Sequence, residues 1–142
     1  MQTVRQLLET KSAEVYAVGA DAAVIDAVRL MADKGVGAVL VMQGQRLAGI
    51  LSERDYARKV VLRSRASADT PVREIMTAEV VTVGPADTVD HCMQLMTERR
   101  FRHLPVVDGG RVTGVISIGD LVKAVIERQR HDIDQLQRYI AG

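Results

Sequence analysis

Two seven-residue stretches of one 142-residue chain carry the same arrangement of side chains that could do chemistry. GILSERD runs from Gly49 to Asp55 and GVISIGD from Gly114 to Asp120. In each, a glycine and two branched apolar residues lead to a serine, Ser52 or Ser117, and an aspartate follows three residues later. A carboxylate can grip both hydroxyls of a ribose, as acidic residues do in dinucleotide-binding folds. A serine at a strand-to-helix junction stands among free backbone amides at the positive end of a helix dipole, which together make an anion site. Arginine and histidine neutralise phosphates, and Arg54, Arg99, Arg100, Arg102 and His103 lie close to the two copies in sequence. These residue types describe a site for a nucleoside phosphate. The same spacing also has a structural use, because Ser-x-x-acid before an apolar run is a helix capping box, worth about 1 kcal/mol. Recurrence at equivalent positions favours the ligand.

The elements that must position these residues also come twice. A slide of about 65 positions lays EVYAVGADAAVIDAVRLMADKGVGAVLVMQGQRLAGILSERDYARKVV over EVVTVGPADTVDHCMQLMTERRFRHLPVVDGGRVTGVISIGDLVKAVI without a gap. Further back, TVRQLL at Thr3–Leu8 resembles PVREIM at Pro71–Met76. Each half reads as a short strand (Val15–Val18, Val80–Val83) and then a turn whose aspartate caps a helix. The helix has Val24, Ala27, Val28 and Met31, or Val89, Cys92, Met93 and Met96, on one face. Two apolar strands follow, Ala38–Met42 with Leu47–Leu51 and His103–Val107 with Val112–Ile116, joined by the glycine-bearing turns QGQ and DGG. A second helix starts near Ser52 or Ser117. A half of this size buries too little surface to stand alone comfortably, so the two are expected to pack together about a pseudo-twofold axis. RSRASADT, Arg63–Thr70, reads as the linker, and Arg58, Lys59, Arg63 and Arg65 read as solvated charges. The expected divisions are 1–65, 66–127 and a helical tail over 128–142, whose Ile133, Leu136, Tyr139 and Ile140 recur at helical spacing. That apolar stripe either lies back on its own domain or makes a dimer contact.

Composition narrows the function. Apolar content of 47%, charged content of 26% and a formal charge of +1 describe an ordinary globular chain, without the basic footprint or stacking aromatics of a nucleic-acid binder. No apolar run reaches the roughly 18–20 residues of a membrane span, and MQTVRQLLETKSAEV lacks the core of a signal peptide, so a cytoplasmic location is expected. The single cysteine, Cys92, rules out an intrachain disulfide and reads as a buried small hydrophobe. His91, His103 and His131 show no metal-ligand spacing. No Walker loop is present, and Gly35 and Gly37 in KGVGAV follow a helix where a Rossmann fingerprint precedes one. Catalysis is not expected.

The repeated motifs, with FRHLPVVD and the EIMT ahead of the second copy, resemble a tandem cystathionine β-synthase (CBS) domain pair, over roughly nine-tenths of the chain. The resemblance implies an α/β fold of the α+β type: two β-α-β-β-α repeats packed through their sheets, with two clefts for adenosine-containing ligands such as AMP, ATP, NAD(H) or S-adenosylmethionine. It implies a stand-alone regulatory sensor with no catalysis and no metal cofactor, a homodimer that signals to a separate protein. Carried over by position, Asp55 and Asp120 would hold ribose hydroxyls, and Ser52 and Ser117 would approach ribose or phosphate. Arg54 and Gly119 would face phosphate, as would Arg102 and His103 ahead of Pro105, while their counterparts Gly37 and Ala38 carry no charge. Lys11 to Tyr16 would complete the Asp120 site and Thr77 to Val81, including Val80, the Asp55 site, with adenine near Tyr16 or Val81. The two sites would then differ in affinity. The alternative function is a ligand-free interaction and dimerisation scaffold.

Overall fold

The computed structural model describes residues 2–11 and 14–141. Along the chain run α1 (Val4–Glu9), β1 (Ala17–Gly19), α2 (Val24–Lys34), β2 (Ala38–Gln43), β3 (Arg46–Ser52), α3 (Glu53–Tyr56), α4 (Val89–Arg99), β4 (His103–Asp108), β5 (Arg111–Ser117) and α5 (Ile118–Ala141). A π-helical turn, Ala57–Val61, prolongs α3, and a 3-10 turn spans Val72–Glu74. The chain divides into two compact units. One comprises Met1–Ala13, Thr82–Gly109 and Thr113–Gly142 and holds Asp120; the other comprises Glu14–Val81 and Gly110–Val112 and holds Asp55. The opening of the first repeat therefore lies in the unit of the second motif.

In the Asp55 unit the sheet order is β1-β2-β3. β1 runs parallel to β2, with Val18 opposite Val41, and β2 pairs antiparallel with β3, with Ala38 opposite Ser52. Branched residues suit a half-buried pleated surface, and Val39, Val41 and Leu51 point into a core with Val24, Ala27 and Met31 of α2. Val72 and Ile75 close that core. The Asp120 unit repeats the recipe, with Val89, Cys92 and Met96 of α4, Leu104 and Val106 of β4, Ile116 of β5 and Leu121 of α5 all buried. Val4 and Leu7, aligned with Val72 and Ile75, are buried too. α1 is tied to the start of α4 by Val4 N–H donating to the Asp87 carbonyl and Val89 N–H to that of Gln2 (2.8 and 3.0 Å).

Three local expectations are corrected. The strand over Val80–Val83 does not form; only Val83 bridges to Val106, in the register of Val18 and Val41. In β2 the Leu40 amide donates to the Tyr16 carbonyl, but its counterpart is Pro105, which has no N–H to give. The first-half strand is also later and shorter than Val15–Val18. Neither helix is capped by the expected aspartate. α2 has Ala23 at its N-cap, which offers no side-chain cap, and α4 is capped by Thr88. Asp21 pairs with Arg73, and Asp87 accepts from the Gly84 amide. The α2 amides of Val24 and Ile25 go to carbonyls of Thr70 and Ser67, so the polar linker supplies acceptors for orphan donors at a helix start. The tail continues the last helix, as one of the two readings has it, and its apolar stripe does not lie back on its own domain. α5 continues to Ala141, and Ile133, Leu136, Tyr139 and Ile140 stay exposed.

Candidate functional site

Each Ser-x-x-Asp motif stands where a strand becomes a helix, on a matching backbone frame. The Glu53 amide donates to the Gly37 carbonyl (3.0 Å), and the Ile118 amide to the Arg102 carbonyl (2.9 Å). The residue before β2 or β4 thereby fixes the first turn of the helix that carries the aspartate. Both motifs form capping boxes. Asp55 N–H donates to Ser52 Oγ (3.1 Å), and Ser52 N–H and Oγ–H donate to Asp55 Oδ2 (3.0 and 3.1 Å). Asp120 N–H donates to Ser117 Oγ (3.2 Å), and Ser117 N–H to Asp120 Oδ2 (2.8 Å). Both carboxylates are half-buried.

A lysine ammonium reaches each aspartate by a different route. Lys11, from the N-terminal segment, donates to Asp120 Oδ2 and to the Val115 carbonyl, both at 2.5 Å. Lys59, one turn on from Asp55 along its own helix, lies 3.3 Å from Asp55 Oδ1 and donates to the Ile75 carbonyl (3.0 Å). Lys11 falls in the stretch 9–13, opposite which the second repeat has only Thr77 and Ala78, and Lys59 aligns with Ala124, so neither lysine has a counterpart in the other repeat. The carbonyl equivalent to that of Val115 belongs to Ile50, and the Thr77 backbone amide fills it (2.9 Å). In the Asp120 unit, two donors among the described residues, the Lys11 ammonium and the Ser117 amide, converge on Oδ2 and none on Oδ1.

Electrostatics follow the packing. Burial works to raise the Asp120 pKa, but the hydrogen bonds from Lys11 and Ser117 outweigh it and hold the carboxyl below its ordinary value. His103, half-buried at the start of β4, is pushed down, first by burial and then by the charge of Lys11; Asp120 opposes this and Arg102 adds to it. Arg102 also lines an open groove of about 640 Å³ with Ile118, Gly119, Val122, Lys123, Ile126, Glu127 and Arg130. Lys123 and Arg130 carry no motif that would have singled them out.

The structure gathers Lys11, Arg102, His103, Pro105, Ser117, Gly119 and Asp120 in one unit, and Tyr16, Gly37, Ala38, Ser52, Arg54, Asp55, Thr77, Val80 and Val81 in the other. The Lys11-to-Tyr16 stretch is thus divided; Ser12 and Ala13 within it lie outside the described residues. Tyr16 packs against the core of the Asp55 unit and bonds Glu14, with Lys34 5.6 Å above its ring. Thr77 exchanges two backbone hydrogen bonds with Ile50. Arg54 is exposed and pairs with no described residue, and Pro105 is buried within β4. Lys59, read as solvated, engages Asp55, and Arg65 pairs with Glu74 at 2.8 Å. The i, i+4 spacing of Asp55 and Lys59 could have signalled that pair; nothing local signals Lys11 with Asp120.

The CBS domain family model matches residues 4–62 and 72–127. The chain is 44% identical over 127 residues to the CBS domain-containing protein CBSX3, mitochondrial, of Arabidopsis thaliana, covering 86% of this chain and 62% of that protein. It therefore spans just under two-thirds of that relative. It is 33% identical over 113 residues to the CBS domain-containing protein YhcV of Bacillus subtilis, covering 80% of each. Among solved structures, a CBS-domain protein of Burkholderia ambifaria, described as a candidate signal-transduction protein, is 56% identical with a TM-score of 0.87, covering 90% of this chain and 96% of its own. The CBS domain pair of protein MJ0100, in complex with 5′-methylthioadenosine and S-adenosyl-L-methionine, shares the fold at 21% identity and a TM-score of 0.80, covering 90% and 98%.

Proposed function

The chain belongs to the CBS domain family, and from that premise we propose that it is a non-catalytic regulatory module that binds adenosine-containing nucleotides, of the AMP, ATP or NAD(H) class, and signals as a homodimer to a separate protein. The observation that carries the reading is the duplicated capping box, which holds one aspartate per unit on the same strand-to-helix frame. At Asp120 the outer oxygen accepts from ribose hydroxyls while Lys11 and Ser117 hold the inner one. Arg102 and Lys123 neutralise phosphates beside Gly119, in the first turn of a 24-residue helix. At Asp55, Lys59 already sits on Oδ1, and Gly37 and Ala38 carry no charge. The Asp120 site is therefore the tighter one for phosphate-bearing ligands. The fold's capacity to hold adenosine compounds in the MJ0100 pair supports this reading. A cytoplasmic location belongs to the same proposal; no described helix is long and apolar enough to cross a membrane.

The test is thermal unfolding and calorimetry with AMP, ADP, ATP, NAD⁺, NADH and S-adenosylmethionine, on the wild type, Asp55→Asn and Asp120→Asn. A ligand at about 100 times its Kd stabilises the native state by roughly 2.7 kcal/mol, several degrees in Tm. The expected result is two unequal binding events, the tighter one weakened about 10- to 100-fold by Asp120→Asn, as loss of charged hydrogen bonds implies. No shift with any nucleotide, in protein shown by mass spectrometry to carry none, would overturn the reading. It would favour the dimerisation scaffold, for which the exposed apolar residues of α5 speak.

A further inference from the structure

The 24-residue α5 presents two faces. On one, Leu121 and Ala124 are buried and Arg128 pairs with Asp90 of α4 at 3.4 Å. On the other, Val122, Ile126, Gln129, Ile133, Leu136 and Ile140 succeed one another at intervals of four, three, four, three and four residues. That is a heptad seam. Its apolar members are exposed, from 43% at Val122 to 82% at Ile140. The seam starts in the groove beside Gly119 and runs on past residue 127, where the family match ends. An apolar row of this length on a charged helix marks a contact surface.

The composition of the seam names its occupant. Ile126, Ile133 and Ile140 fill the a positions, and Val122, Gln129 and Leu136 the d positions. β-branched residues at a, with leucine and one polar residue in the core, favour two parallel strands in a single register. The flanking charges agree. In-register parallel strands set Arg130 beside Val125 and Asp132 beside Gln137, without a like-charge pair. The fully overlapped antiparallel arrangement sets Arg130 against Arg130 and Asp132 against Asp132, which is destabilising. We propose that α5 docks a second copy of this chain through a parallel two-stranded coil over Val122–Ile140, with the two Gln129 side chains bonding across it. The inference rests on the homodimeric reading above and specifies its surface. With fewer than three heptads, the coil makes a dimer that depends on concentration.

Sedimentation of the full-length protein over a concentration series tests this. The wild type dimerises, and Ile133→Glu raises the dimer dissociation constant at least about a hundredfold, since each dimer loses two buried isoleucines. Gln129→Leu, which removes the polar core residue, lowers that constant. Ile133→Cys, oxidised gently, gives a disulfide-linked dimer; the native Cys92 is buried, with its thiol pushed up to about 11, and does not compete. A wild type that stays monomeric overturns both this inference and the homodimeric reading. A dimer unchanged by Ile133→Glu leaves the reading standing and overturns the inference. Cross-linking only in a Gln129→Cys, Ile133→Cys double variant overturns the parallel register.

Discussion

The Asp120 and Asp55 units solve one problem with different parts. Both close a capping box, both seat a lysine on its aspartate, and both cover the glycine that opens the motif with a segment far away in sequence. In the Asp55 unit the cover is backbone: Thr77 pairs with Ile50, so no side chain is needed at that carbonyl and the lysine comes from the helix. In the Asp120 unit the cover is side chain. Leu8 lies on Gly114, and Lys11 reaches the Val115 carbonyl and the aspartate together. The duplicated sequence thus specifies the frame, while each half completes it with whatever its cover leaves unsatisfied.

The two glycines expose this difference most sharply. A Cβ on Gly49 would stand 2.7 Å from Met76 Sδ and 2.8 Å from the Thr77 carbonyl oxygen; one on Gly114 would stand 2.8 Å from Leu8 Cδ2. A leucine terminus can turn aside, but a bridged backbone carbonyl cannot without losing its hydrogen bonds. Gly49→Ala is therefore expected to cost about 3 kcal/mol and Gly114→Ala about 1 kcal/mol or less, within the range for overpacking. Urea denaturation of both variants measures this. Equal costs would mean that the Thr77 segment yields as readily as Leu8.

That opening glycine shows where sequence reading stops. The repeat, the helix faces around Val24 and Val89, and the hairpins at Gly44 and Gly109 were legible, because periodicity and turn chemistry are local. The place of Ser52, Asp55, Ser117 and Asp120 at strand-to-helix junctions was legible for the same reason. Lys11 is assigned to the Asp120 site only through the family resemblance; no local pattern links two residues 109 positions apart, and residues 9–13 of the first repeat face only Thr77 and Ala78 of the second. Lys59 reads as one of several solvated charges among Arg58, Arg63 and Arg65, although its spacing from Asp55 is local. The missing strand at Val80–Val83 had a visible cause in Pro105, but one that acts only once the partner strand is known.

Removing the lysines measures what each route contributes. Lys11 and Asp120 are 31% and 27% exposed and lie far apart in sequence, whereas Lys59 and Asp55 form an i, i+4 pair with the lysine 40% exposed. Lys11→Met is expected to cost about 1 kcal/mol, near the top of the range for incompletely buried pairs, and Lys59→Met about 0.5 kcal/mol. Because the Asp120 pKa is held down, the Lys11 contribution is present above the ordinary carboxylate pKa of about 4 and is lost as pH falls through the depressed value. Guanidinium-free thermal melts at low and high salt check the ranking; equal costs would remove the distinction between long-range and local pairing.

The smallest effect is the one that belongs to a single unit. His103 has Ala38 as its counterpart, so only the Asp120 unit carries an imidazole at this position. Burial and the neighbouring charge of Lys11 lower its pKa in the folded state, with Arg102 adding to the depression and Asp120 opposing it. Below about pH 6.5 the unfolded chain takes up a proton that the folded chain still refuses. Stability from this group is therefore complete above that pH and falls as pH drops through the window between the unfolded and folded values, with a slope of at most about 1.4 kcal/mol per pH unit. His103→Gln should flatten the stability profile between pH 6.5 and the onset of carboxylate titration, and leave it unchanged at about pH 8. A profile that keeps its slope in that variant would assign the proton uptake elsewhere and leave the two units electrostatically alike in this range. A flattened one would make the Asp120 unit also the one that weakens first on acidification.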